Sequence, residues 1–194
     1  MRILAISQRI DFIKNRLEYR DSLDQSFYNY FEKCGFSLLP IPNVNNKNLN
    51  QLLNQLKISG VVLSGGNDIG QYKDRDITEL KLINYANENS IPLLGICRGM
   101  QMIAKWQGIN LIPVKGHVNN RHEIIGEINT EVNSFHNFAI SKIPDDFELL
   151  AKSRDGTIEA IVSKSKKWEA WMWHPEREDL FNPIFIKRIK VLFQ

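Results

Sequence analysis

The sequence predicts an α/β fold: a mixed central sheet, mainly parallel, with helices on both faces and an antiparallel extension at one side. Three observations predict it. Short apolar strands alternate with helix-length segments through the first half of the chain. One of those strands runs straight into a Gly-Gly pair. Beyond about Asn110 the helical spacing gives way to strand patterns joined by tight turns. Alternating strands and helices with short apolar strands belong to parallel sheets covered on both faces, whereas strands joined by hairpin turns run antiparallel.

Residues 3–7 read as a buried strand. A helix is expected to start near Ser22, because Ser22 and Gln25 have capping-box spacing. Leu23, Phe27, Tyr30, Phe31 and Cys34 keep a helical period, and Gly35 is placed to end the helix. Residues 37–41 form the next strand and 48–56 the next helix. Gly60-Val61-Val62-Leu63-Ser64 is a β-branched strand that leads into Gly65-Gly66. A helix over about 76–89 precedes a strand at 91–96, and another helix follows Cys97. In the second half, 127–133, 148–153, 157–163 and 168–173 read as strands, with Asp155-Gly156 as a hairpin turn. Asn182-Pro183 opens a final helix with proline at its first position.

With 194 residues, 43% hydrophobic and 24% charged, the chain is expected to form a single domain over 1–194 with a core that needs no disulfide or structural metal. Its net charge of +3 is too small for a nucleic-acid-binding tail but suits an anionic small molecule. The apolar runs are too short for a transmembrane helix, and the N-terminal one is too short for a signal peptide. A cytoplasmic protein without membrane contacts is therefore expected. Cys34 and Cys97 are the two cysteines, and they form no C-x-x-C pair, so neither a disulfide framework nor a zinc site is expected.

The most informative segment is Leu93-Leu94-Gly95-Ile96-Cys97-Arg98-Gly99-Met100-Gln101. An apolar strand enters Gly-x-Cys-x-Gly, and a helix follows with Met102, Ile103 and Trp106 on one face. This is the cysteine form of a nucleophile elbow, a sharp strand-to-helix turn that strains its central residue. Side chains two positions to either side would collide, hence the glycines. The helix N-terminus favours the nucleophilic thiolate. Cys34, on the apolar face of a helix, reads as core.

A cysteine nucleophile needs a base, and the base needs a third group to orient it. Of His117, His122, His136 and His174, the last ends an apolar strand in Trp173-His174-Pro175-Glu176. The proline stiffens the link, so Glu176 can reach one imidazole nitrogen while the other faces Cys97. Cys97, His174 and Glu176 are the expected catalytic residues.

Together, Gly95-Ile96-Cys97-Arg98-Gly99-Met100-Gln101 and His174-Pro175-Glu176 resemble the class I glutamine amidotransferase family, within its γ-glutamyl hydrolase-like branch. Val61-Val62-Leu63-Ser64-Gly65-Gly66-Asn67-Asp68, Val132-Asn133-Ser134-Phe135-His136 and Arg20-Asp21-Ser22-Leu23-Asp24-Gln25 resemble further segments of that branch, in the same order. The resemblance implies a flavodoxin-like sheet and a cofactor-free cysteine hydrolase of γ-glutamyl amides. Cys97 would form a γ-glutamyl thioester and His174 would shuttle the proton, with Glu176 holding the ring. The backbone N–H groups of Gly66 and Arg98 would bind the oxyanion. Gly65, Gln101, Asn133, Ser134, Phe135 and His136 would surround the glutamyl head.

The leaving group is less directly written. Arg9, Arg20, Lys115, His117, Asn119, Asn120, Arg121 and His122 fall in expected loops, and 115–122 could overhang the site. Guanidinium and ammonium groups suit phosphate oxygens, so Arg9, Arg20, Lys115, His117 and Arg121 are expected to contact an anionic leaving group, which the resemblance implies is nucleotide-linked. No synthase domain is read in the chain. It would act alone on a small γ-glutamyl substrate, or as a glutaminase passing ammonia to a partner synthase; a non-enzymatic binding protein on the same fold is a third reading. No metal is expected, because no clustered ligand set is visible in the sequence.

Overall fold

The computed structural model describes residues 2–43 and 48–194. Five strands run parallel: β1 (Arg2–Ser7), β4 (Phe36–Ile41), β5 (Gly60–Leu63), β6 (Leu93–Ile96) and β13 (Trp168–Trp171). Four more continue the sheet antiparallel: β8 (Val118–Gly126), β9 (Thr130–Phe135), β11 (Phe147–Ser153) and β12 (Ile158–Ser163). The order is β4-β1-β5-β6-β13-β12-β11-β8-β9. The mixed sheet, parallel at one side and antiparallel at the other, agrees with the sequence expectation. β2 (Arg9–Ile13) pairs with β3 (Glu18–Ser22), and β7 (Leu111–Pro113) with β10 (Phe138–Ile140), as separate two-stranded sheets.

Consecutive residues of the parallel strands are buried on opposite faces, which is why these strands are apolar without interruption. Leu4, Ile6, Val62, Leu94 and Ile96 pack with α1 (Gln25–Cys34) through Phe27, Tyr30 and Phe31, and with α5 (Pro183–Leu192) through Phe185 and Ile189. Ala5, Val61, Leu63 and Leu93 pack with α2 (Leu49–Gln55), α3 (Lys73–Glu88) and α4 (Arg98–Trp106) through Leu53, Leu82, Ile83, Met100 and Ile103. No helix among the described residues is long and apolar enough to cross a membrane.

Four expectations are corrected. The first helix starts at Gln25, with the Asp24 side chain accepting from the Ser26 N–H at 3.0 Å; Ser22 closes β3 instead of capping a helix. The β2–β3 hairpin is mostly exposed, so its apolar alternation is muted and it reads as a loop. α3 starts at Lys73, one turn before the expected Asp76. Residues 118–126 are not a loop: they form β8, paired with β9 from Val118↔Phe135 to Ile124↔Thr130. β9 therefore begins at Thr130, and 127–129 make the turn.

Candidate active site

Cys97 sits where β6 meets α4. Its N–H donates to the Trp171 carbonyl at 2.7 Å, extending the β6–β13 ladder by one bond. Its backbone then breaks sharply, with φ 52° and ψ −105°, a conformation that side chains rarely adopt. The two flanking glycines make the turn possible. A Cβ on Gly95 would lie 2.7 Å from the Gly99 carbonyl carbon, and one on Gly99 would lie 2.3 Å from the Leu63 oxygen. The Cys97 carbonyl receives the first bonds of α4, from the N–H groups of Met100 and Gln101. The N–H of Arg98, in the first turn, has no intrahelical acceptor.

His174 comes from the neighbouring strand. The pairing Ile96↔Trp171 aligns the ends of β6 and β13, so the segment after Trp171 passes beside Cys97. Asn133 clamps this segment at the backbone: its Oδ1 accepts from the His174 N–H at 2.9 Å and its Nδ2 donates to the His174 carbonyl at 2.8 Å. The same Nδ2 reaches Glu178 at 2.7 Å. The imidazole Nδ1 lies 2.6 Å from Glu176 Oε1, within a 3₁₀ turn, Pro175–Arg177. Both side chains are almost fully buried. Burial disfavours the charged ring, but Glu176, and then Cys97 through charge and a hydrogen bond, outweigh it and push the His174 pKa up to about 10. Gly65 closes over the ring: a Cβ there would sit 2.4 Å from His174 Cε1.

The glycine loop is held from below by α3. Arg75, fully buried, donates through Nη2 to the carbonyls of Ser64 at 2.9 Å and Gly65 at 2.8 Å, and through Nη1 to Asn67 Oδ1 at 3.0 Å. Its Nε meets Glu79 Oε1 at 3.1 Å, and Ser7 Oγ donates to the same oxygen at 2.8 Å. The Arg98 guanidinium pairs with Glu79 and Asp76. Two cations and two carboxylates are thus matched under both backbone segments expected to bind an oxyanion. In a planar trans peptide the C=O and N–H point opposite ways, so anchoring the Gly65 carbonyl on Arg75 turns the Gly66 N–H away from that guanidinium. Gly66 has φ +93°, a conformation suited to glycine.

The other expected residues divide. Asn133 and Phe135, alternate residues on β9, both face His174, with the Phe135 ring 6.1 Å from the imidazole. Gln101 is buried, and its amide nitrogen donates to the Phe138 carbonyl at 3.0 Å. Ser134 turns the other way, donating to the His117 carbonyl at 2.8 Å. Arg9 packs beside Gly66 in a small cavity shared with Ser22, Leu23, Asp24, Phe27, Ser64, Gly65 and Arg177. Arg121, paired with Glu131 and Glu178, lines a second concavity with Asn119, Asn120, Asn133, Phe135 and Arg177.

Besides Ser134, which faces away from His174, four placements run against the expected phosphate and glutamyl contacts. Arg20 is on the exposed hairpin, bound to Glu18 and absent from both cavities. Lys115 is in an exposed bend before β8 and lines neither cavity. His117 and His136 are buried and face Glu159, because β8 is a paired strand rather than an overhanging loop. Sequence reasoning missed Arg75, Glu79 and Arg177. Arg177 borders both cavities and stacks its guanidinium 5.1 Å over Phe135. Its position directly after Glu176 was the available signal.

Residues 16–179 match the family described as glutamine amidotransferase class-I. A γ-glutamyl-CDP-amidate hydrolase of Campylobacter jejuni subsp. jejuni serotype O:2 is 42% identical over 135 residues, covering 66% of this chain and 68% of that protein. A glutamine-hydrolyzing GMP synthase subunit of Methanocaldococcus jannaschii is 29% identical over 152 residues, covering 73% and 76%. A Thermoplasma acidophilum crystal structure, of a candidate GMP synthase subunit, superposes with a TM-score of 0.76 at 22% identity, covering 100% of this chain and 92% of that one. A glutamine amidotransferase from Thermotoga maritima gives 0.64 at 20% identity, covering 90% and 76%. The match across most of the chain, on the same sheet architecture, shows that the chain belongs to the class I glutamine amidotransferase family.

Proposed function

We propose that the protein is a cysteine-dependent hydrolase of γ-glutamyl amides and that its substrate is γ-glutamyl-CDP-amidate. The observation that carries the chemistry is the strained Cys97 at a helix start, beside the strand end that delivers an imidazole whose Nδ1 is held 2.6 Å from Glu176. The Cys97 thiolate attacks the γ-carbonyl carbon, and the C–S bond forms as negative charge moves to the oxygen. The Gly66 and Arg98 N–H groups stabilise that oxyanion. The C–N bond then breaks, and the His174 imidazolium gives its proton to the leaving nitrogen. Water, deprotonated by the same ring, attacks the thioester; the C–S bond breaks and L-glutamate leaves. The other product is cytidine diphosphoramidate.

The nucleotide part of the reading is supported by the similarity to the Campylobacter hydrolase and by the guanidiniums of Arg9 and Arg177 beside the glycine loop. Arg121, paired with Glu131 and Glu178, lines the neighbouring concavity with Phe135 and Arg177. Arginine forks match the geometry of phosphate oxygens.

The deciding experiment measures free glutamate released from γ-glutamyl-CDP-amidate and from glutamine. The expected kcat/KM for the nucleotide amidate exceeds that for glutamine by at least about 100-fold. Equal efficiencies, or glutamine hydrolysis that appears only when a synthase is added, would replace this reading with an ammonia-supplying glutaminase. The similarity to glutamine-hydrolyzing GMP synthase subunits makes that the relevant rival.

The charge state of His174 yields a second expected result. With its pKa raised to about 10, the ring stays protonated through neutral pH and loses its proton only in alkali. In Glu176→Gln the largest influence favouring the charge is gone, and burial pulls the pKa down. The alkaline limb of the kcat/KM profile therefore moves to lower pH in this variant. An unshifted limb would show that Glu176 does not govern the ring.

A further inference from the structure

Behind β9, on the side away from His174, four side chains that the thiol chemistry does not use converge. His117 precedes β8, His122 lies on β8, His136 follows β9 and Glu159 lies on β12. His117 Nδ1, His122 Nε2 and His136 Nε2 lie 3.2, 3.4 and 3.5 Å from the same oxygen, Glu159 Oε1. Side-chain exposure is 3% or less for His117, His136 and Glu159, and 15% for His122. Yet none of these approaches has hydrogen-bond geometry. The three nitrogens and both Glu159 oxygens are buried without a hydrogen-bond partner among the described residues. Buried polar atoms are almost always paired, so five orphans facing one another call for a missing centre.

The spacing identifies it. Ligands 2.0–2.1 Å from a tetrahedral zinc ion stand about 3.4 Å apart along each edge. The three separations from Glu159 Oε1, 3.2 to 3.5 Å, match the edges that meet at one such ligand, and the ligand atoms of His117, His136 and Glu159 all fall within 4.8 Å of one another. The outer ring nitrogens are also dressed as those of metal-bound histidines usually are. His117 Nε2 is 2.9 Å from Asp155 Oδ2, and His136 Nδ1 is 3.1 Å from the Phe138 carbonyl. Asp155 is fixed in turn by Ser153 Oγ at 2.6 Å.

We propose that His117, His136 and Glu159, with His122 as the fourth ligand, form a binding site for a divalent transition-metal ion, zinc by its ligand chemistry. Three imidazoles and one carboxylate suit zinc better than calcium or magnesium, which take oxygen. Four protein ligands leave no position for substrate, so the ion is structural. It ties β8, β12 and the end of β9 together, directly behind Asn133 and Phe135, the two residues that β9 presents to His174. The four ligands come from three separate stretches of sequence, with only His117 and His122 near one another, so local spacing does not assemble the site.

The test uses the full chain, stripped with a chelator, dialysed and titrated with zinc chloride. Bound metal is read by elemental analysis and stability by thermal melting. The expected result is about one zinc per chain and a raised melting temperature, both retained when Cys34 and Cys97 are replaced by serine. Cobalt(II) should give the intense visible bands of a tetrahedral site without a thiolate charge-transfer band. Asp155→Asn should weaken zinc binding about 10–100-fold. His122→Asn, altering the most accessible ligand, should weaken it as well. Absence of stoichiometric uptake by the unmutated chain would overturn the proposal. So would zinc that is lost with the cysteines, or zinc held unchanged by both His122→Asn and Asp155→Asn. In the first case the cluster is a proton-sharing network of three imidazoles around one carboxylate.

Discussion

Replacing Cys97 by alanine should lower kcat for γ-glutamyl amide hydrolysis by about 10⁶-fold, to the level left when a catalytic nucleophile is removed from a serine protease. Substrate affinity should persist, because the glutamyl pocket, the glycine loop and the cations around Gly66 are untouched. Calorimetric titration of the variant with γ-glutamyl-CDP-amidate checks the second half of the statement. A companion variant isolates the strain. Cys97 has φ 52° and ψ −105°, a conformation that costs a non-glycine residue about 1–3 kcal/mol and that glycine adopts freely. Cys97→Gly should therefore melt at a higher temperature than Cys97→Ala while being equally inactive. Hydroxylamine added during turnover of the unmutated enzyme should divert the thioester to γ-glutamyl hydroxamate. Residual activity of Cys97→Ala near that of the unmutated chain would remove the thiol from the mechanism.

The parts of this site that were legible in sequence are those where one local rule dominates. Gly95 and Gly99 announce the elbow because no other residue fits against the Leu63 oxygen and the neighbouring turn. His174-Pro175-Glu176 is readable because two residues and a proline bring carboxylate and ring together without help from elsewhere. The parallel half of the sheet follows from strands whose consecutive residues are both apolar. What stayed hidden depends on tertiary pairing. Arg75 and Glu79 look like an ordinary solvated pair on α3, yet both are fully buried beneath the glycine loop. The inner face of α3 is charged along its first turns and apolar from Leu82 onward, so no uniform stripe marks it. The β2–β3 hairpin and β8 carry mostly exposed side chains, and period-two alternation fades when neither face is buried. Glu159 did leave a trace: a carboxylate inside Ile158-Glu159-Ala160-Ile161 needs compensation somewhere, and the sequence alone does not say from which histidines.

The second large effect concerns Arg75. Its guanidinium touches no substrate; it acts through the backbone, gripping the Ser64 and Gly65 carbonyls while Glu79 joins it to Arg98. Both proposed oxyanion donors, the N–H groups of Gly66 and Arg98, are thus held by one buried four-charge network. Arg75→Met removes one cation from that network and leaves Glu79 with Arg98 as its one cationic partner, beside the Ser7 hydroxyl. Breaking a buried pair in this way costs about 3–5 kcal/mol, which for a chain of this size lowers the melting temperature by roughly 10 °C. If that were the whole effect, the folded fraction would turn over at the normal rate when assayed well below its melting point. The expected result is different. With the Gly65 carbonyl released, the Gly66 N–H loses its fixed direction, and kcat per folded molecule should fall about 10²–10³-fold with KM little changed. Arg75→Lys keeps the charge but not the fork that binds two carbonyls at once, so it should recover stability more fully than kcat. A folded Arg75→Met enzyme with an undiminished kcat would mean that the loop holds its own shape and that this network serves stability alone.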